Sequence, residues 1–125
     1  MNLRVNIGCG KSLTNGYVNI DNSLSIKLAN FQFLYKIMKF LKILNPQQIE
    51  NIEWNKKHKI IFSDVTKKIP INNNAAECIY TSHMLEHLSR NGVKIFLKEA
   101  HRVLNENGVL RIAVPDLALH INNYL

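Results

Sequence analysis

Six short stretches of this chain carry side chains suited to chemistry: Gly8-Cys9-Gly10, Asp21, Asp64, Ser82-His83, Glu86-His87 and Asp116. Glycines at positions 8 and 10 let a ligand approach the backbone where a side chain would block it. A lone G-x-G is weak evidence, and Leu13 stands where a third glycine would complete the dinucleotide fingerprint. One carboxylate such as Asp21 can accept hydrogen bonds from both hydroxyls of a ribose. Asp64 can accept from an adenine amino group in the same way. Each has a plain structural alternative as a capping or turn aspartate, yet together with the glycines they describe a nucleoside pocket. His83-Met84-Leu85-Glu86-His87 also matches the H-x-x-E-H pattern of inverted zinc peptidases. That chemistry needs both histidines on one established helix and a third protein ligand. Here His83 falls at a strand end, so no metal is expected. The histidines either line a loop above buried Leu85 and Leu88 or face a cofactor or acceptor.

The elements that must position these groups follow from hydropathy. Residues 3–7 alternate with period two and run into the glycines, the pattern of a strand ending in a turn. Further strands are expected over 17–21, 59–64, 77–83 and 109–114, the last stopped by Pro115-Asp116. Residues 24–44 repeat apolar side chains at helical spacing over a very wide face, with Lys27, Lys36, Lys39 and Lys42 and no acid. Asn45 is placed to cap a short helix, with Pro46 at its first position and Gln48 at its third. An amphipathic helix follows Gly92, with Val93, Phe96, Leu97, Ala100, Val103 and Leu104 on one face and Asn107-Gly108 as its stop. A last helix begins after Asp116. The link between the first two strands is shorter than the dozen or more residues of an ordinary parallel crossover, so its helix should shrink to a turn or less. Strands alternating with helices imply a parallel sheet covered by helices. Ligands bind such sheets beyond the carboxyl ends of the strands, where the chemical residues fall.

Composition sets the outer bounds. The chain has 125 residues, 46% of them apolar and 20% charged, one ordinary globular domain able to bury a core without staples. The net charge of +7 is lopsided: residues 1–72 carry 11 Lys/Arg against 4 Asp/Glu, whereas residues 73–125 carry 5 of each. Basic and aromatic residues are not interleaved, so nucleic acid is not an expected partner. No apolar run approaches the roughly 20 residues of a membrane span. The first residues lack a signal-peptide core. Cys9 and Cys78 cannot build a disulfide framework and suit a reducing, cytoplasmic setting. The basic segment 24–44 has two readings: it covers the sheet, or it lies peripherally in a lipid interface.

Val5-Asn6-Ile7-Gly8-Cys9-Gly10-Lys11, Gly16-Tyr17-Val18-Asn19-Ile20-Asp21, Ser63-Asp64-Val65, Tyr80–Leu88, Arg102–Gly108 and Val114-Pro115-Asp116-Leu117 occur in an order that resembles one family. The chain resembles class I S-adenosylmethionine-dependent methyltransferases, of the small bacterial kind associated with cell-surface polysaccharide genes. The resemblance implies an α/β, Rossmann-like parallel sheet of about five strands with flanking helices, lacking the family's last two strands. It implies a single domain over 1–125 with a helical insert at about 24–54. S-adenosylmethionine would be the cofactor, held by Gly8, Cys9, Gly10, Asp21, Asp64, Val65, Ser82 and His83. His83, His87 and Asp116 are the candidate catalytic groups. The acceptor would be a small molecule, a saccharide among the options. The alternative is a shortened, non-catalytic or partner-dependent relative, with a protein partner at the open sheet edge. Many relatives have an acid where Asn6 stands, which implies a weaker or water-mediated contact to the cofactor's amino group.

Overall fold

Leu3–Ile7 (β1), Val18–Asp21 (β2), Ile61–Phe62 (β3), Ala76–Ser82 (β4) and Leu104–Ala113 (β5) pair in one sheet in a computed structural model that describes residues 2–124. Met1 and Leu125, the ends of the expected domain span, lie outside the described residues. The strand order is β3-β2-β1-β4-β5 and every pairing is parallel. All strands therefore end on one rim. The order reverses at β1, and the crevice between β1 and β4 is the place where such sheets bind ligands.

Alternation explains how the sheet is buried. Val5, Ile7 and Ile79 point to one face and join Phe96, Ala100 and Val103 in the main core. These last three come from Arg90–Val103, the amphipathic helix expected after Gly92. Its true N-cap is Ser89, whose hydroxyl accepts from the Gly92 amide, so Gly92 sits inside the first turn. The helix also stops earlier than the Asn107-Gly108 signal implied. The chain passes from Val103 straight into β5, and residues 105–108 form an irregularity within that strand. Tertiary pairing of Leu104 with Ala76 ends the helix first.

The segment 24–44 is not one helix. It divides into Leu24–Asn30 (α1) and Gln32–Phe40 (α2), broken at Phe31, whose φ of −104° and ψ of 71° are not helical. A straight helix over that span would be about 30 Å long. The break instead folds both arms onto Pro46–Lys56 (α3), where Leu28, Ala29, Tyr35 and Ile52 form a small second core. α3 starts as expected, with a capping box between Asn45 and Gln48 and Pro46 in the first turn. α1 does cover the sheet: Ile26 packs with Cys9 and Ile60. α2 does not, and most of its apolar side chains face outward. The third strand is shorter than expected, only Ile61–Phe62. Residues 8–17 hold turns and no helix, as the short link between the first two strands requires. With Arg90–Val103 as α4, the final helix is α5, Leu117–Tyr124.

Candidate functional site

The rim is built around the turn after β1. Gly8 and Gly10 adopt left-handed backbone, with φ of +69° and +50°. A Cβ on Gly8 would press to 3.2 Å from the Met84 side chain, so that position is closed by packing. A Cβ on Gly10 would meet nothing within 4 Å, so its Cα faces an open cradle. The turn is fastened to β2 by the amides of Gly8 and Cys9, which both donate to the Ile20 carbonyl. Asp21 completes the clamp. One carboxylate oxygen accepts from the Gly10 amide and the other from the Ser23 amide, each at 2.8 Å. A carboxylate offers about four acceptor sites, so Asp21 keeps capacity for a further donor at the rim.

On the opposite face of β1 and β2, Asn6 and Asn19 stand side by side in register. Asn6 is only 3% exposed, and its amide donates to the Ser12 carbonyl, the Thr14 hydroxyl and the Asn19 side-chain oxygen. Asn19 accepts from the Thr14 amide and donates to the Thr14 and Tyr17 carbonyls. Where a longer crossover would lay down a helix, two asparagines hold the glycine loop to the sheet. Sequence reasoning singled out Asn6 only as a departure and missed Asn19, Ser12 and Thr14. The available signal was the repeated Asn in V-N-I on both strands.

Between this loop and the end of β4 lies a recess of about 480 Å³, lined by Asn6, Gly8, Ser12, Thr14, Ser82 and His83 among others. His83 has a φ of +52°, a left-handed conformation that a non-glycine residue rarely adopts. Its amide donates to the Ala113 carbonyl, which fixes the turn out of β4. The His83 ring is 64% exposed and its Nδ1 lies 3.5 Å from Glu86 Oε1. His87, 76% exposed, approaches the same oxygen at 4.0 Å. Glu86 and His87 lie in a short 3₁₀ turn, Leu85–His87, seated on the main core through Leu85 and Leu88. The two histidines thus flank one carboxylate, and His83 also lines the recess.

The remaining expected residues have other partners. Asp64 lies beyond β3 and accepts from both the amide and the hydroxyl of Thr66, with Lys67 3.6 Å away. The Thr66 hydroxyl holds the Asp64 carboxyl below the usual carboxylate range. Val65 is buried in the main core. Cys9 contributes its backbone to the recess, while its side chain packs with Ile26 and Ile60. Burial, with the Asp21 charge adding to it, pushes the Cys9 thiol up to about 11, so it stays protonated and inert. Asp116 is exposed and accepts from the Leu119 amide at the start of α5. A second recess of about 180 Å³ beside Asp21 is lined by Gly10, Lys11, Ser23, Ser25, Asn51 and Asn55. The last two belong to α3, and no pattern in the sequence tied them to the rim. Among the described residues, no group of three or more His, Cys, Asp or Glu side chains is placed to hold a metal ion.

The reversal of strand order at a glycine turn, with an acid ending the neighbouring strand, defines a Rossmann-like α/β fold. The sequence matches the methyltransferase domain family over residues 5–112, and the chain belongs to that family. None of the curated proteins matches it. Among solved structures, the chain is similar to a protein of Methanococcus maripaludis provisionally described as an S-adenosyl-L-methionine-dependent methyltransferase, with a TM-score of 0.52 and 20% identity. The match covers 90% of this chain and 48% of that one, so the chain spans about half the length of its structural neighbour.

Proposed function

We propose that the chain binds S-adenosylmethionine on this rim and transfers its methyl group to a small-molecule acceptor. The observation that carries the reading is the Gly10 cradle closed by Asp21: open space above a left-handed glycine, beside a carboxylate with acceptor capacity left. These features fit a nucleoside with an attached amino-acid chain. Gly8 and Gly10 would face the methionine part, Asp21 the ribose, Asp64 with Val65 the adenine, and Ser82 with His83 the region of the sulfur. Cys9 would contribute backbone alone. When bound, the cofactor supplies a methyl group already activated by positive sulfur. The protein then has to align the acceptor and, for a protonated acceptor, take up a proton. His83 and His87 are the candidates for that step, and Glu86 stands beside both rings. Asp116 is a further candidate base. Hydroxyl and amide groups around the recess suit a polar acceptor, a saccharide among them.

A second reading is a relative that binds the cofactor without turnover of its own, or works with a partner chain. The openness of both histidines on the acceptor side favours it. Calorimetry with S-adenosylhomocysteine tests the shared premise. The chain should bind it, and Asp21→Ala should weaken binding roughly ten- to over a hundredfold, from loss of a charge-assisted hydrogen bond of about 1.5–3 kcal/mol. Unchanged affinity would remove Asp21 from the pocket. Methyl transfer by the purified chain would then exclude the second reading.

A further inference from the structure

Helix α2 is apolar on two sides, and only one of them meets the protein. Tyr35 is buried against α3 and Met38 partly so. At 100° per residue, Phe33, Ile37, Phe40 and Leu41 form a separate arc that turns away from those two. Phe33 is 79% and Phe40 85% exposed, and the arc continues into exposed Leu41 and Ile43. Lys36 borders this arc along α2, and Lys42 follows in the left-handed position that ends the helix, whereas the Lys39 ammonium lies 5.7 Å over the Tyr35 ring on the other side. Residues 24–44 contain no acid.

We propose that this face of α2 docks the protein peripherally on an anionic lipid surface, with Phe33, Ile37 and Phe40 in the headgroup–acyl boundary and Lys36 and Lys42 at the phosphates. Charge selects the occupant. A second copy docking through the same face would bring two lysine stripes together with no carboxylate to offset them. A bilayer with anionic headgroups offers the complementary charge, and its acyl boundary accepts aromatic side chains without a shaped pocket. The fold also removes the ordering cost. A nine-residue helix is marginal alone, but α2 is already held against α3 through Tyr35, so its outer face is presented ready-made. No helix among the described residues is long and apolar enough to cross a membrane, so the attachment is a surface one. The proposal is independent of methyl transfer.

Co-sedimentation with vesicles tests it, using equal parts phosphatidylglycerol and phosphatidylcholine against phosphatidylcholine alone, at low salt. The chain should pellet with the anionic vesicles and be released by salt. Each of Lys36→Gln and Lys42→Gln should lower affinity about fivefold, the equivalent of roughly 1 kcal/mol per basic residue. Phe33→Ser with Phe40→Ser should abolish binding while the thermal melt and S-adenosylhomocysteine affinity stay unchanged, since both side chains lie outside the cores. Absence of binding to anionic vesicles, or binding indifferent to the phenylalanine pair, would overturn the proposal. So would light scattering that shows a dimer broken by the same pair.

Discussion

Asn6 is where local chemistry and family pattern part company. Its side-chain nitrogen serves three acceptors, and a carboxylate there would face the same three oxygens with no donor. Asn6→Asp should therefore destabilise the fold by about 1–3 kcal/mol at neutral pH. Urea denaturation checks it, and part of the loss should return in acid as the introduced carboxyl regains a proton. The sequence marked Asn6 as unusual but said nothing of its partners. Ser12, Thr14 and Asn19 lie 6 to 13 residues away, and only strand pairing brings Asn19 alongside. Asp21 was easier to read, because an acid closing a short strand is a local pattern. Its bonds to Gly10 and Ser23 were not legible, since a loop must first fold back to reach it.

At the scale of elements, one latch ties α4 to the loop before β4. Glu99 pairs with Arg102 one turn on and accepts from the Ile69 amide, while Arg102 donates to the carbonyls of Ile69 and Ile71. The Arg102 guanidinium, helped by the Ile69 amide, holds the Glu99 carboxyl down to about 2 from an ordinary 4.5. A carboxyl depressed on folding stabilises above its unfolded value and loses that contribution as pH falls through the folded one. Stability should thus decline between about pH 4.5 and about pH 2. Glu99→Gln should flatten that part of the denaturation profile and cost about 1–3 kcal/mol at neutral pH. Neither residue announced itself in the sequence, where i, i+3 charge pairs read as surface decoration. Boundaries show the same limit. Helical periodicity runs unbroken through 24–44, and nothing local marks Phe31 as the break, because packing on α3 decides it. The Asn45 capping box, by contrast, forms as expected from four adjacent residues.

Across the whole molecule, the main core beneath the sheet is closed by one helix, α4. Phe96 is 0% exposed in the main core. Phe96→Ala should cost about 3–5 kcal/mol, a large share of the stability of a domain of this size. Urea or thermal unfolding measures it, and a loss under 1 kcal/mol would show that the core collapses around the gap. The sequence by itself determined which segments are strands, that they lie parallel, and that glycines and acids gather at their ends. Period-two alternation, turn residues and short links are local, and they leave few ways to assemble. The tertiary structure alone decided what those residues do to one another. It made Asp21 a clamp on the glycine turn, set Asn6 against Asn19, and folded 24–44 into one covered helix and one exposed one. Each of these depends on contacts between residues distant in the chain or on a choice between burial and solvent. Periodicity shows that a face is apolar; only packing shows whether the protein itself has covered it.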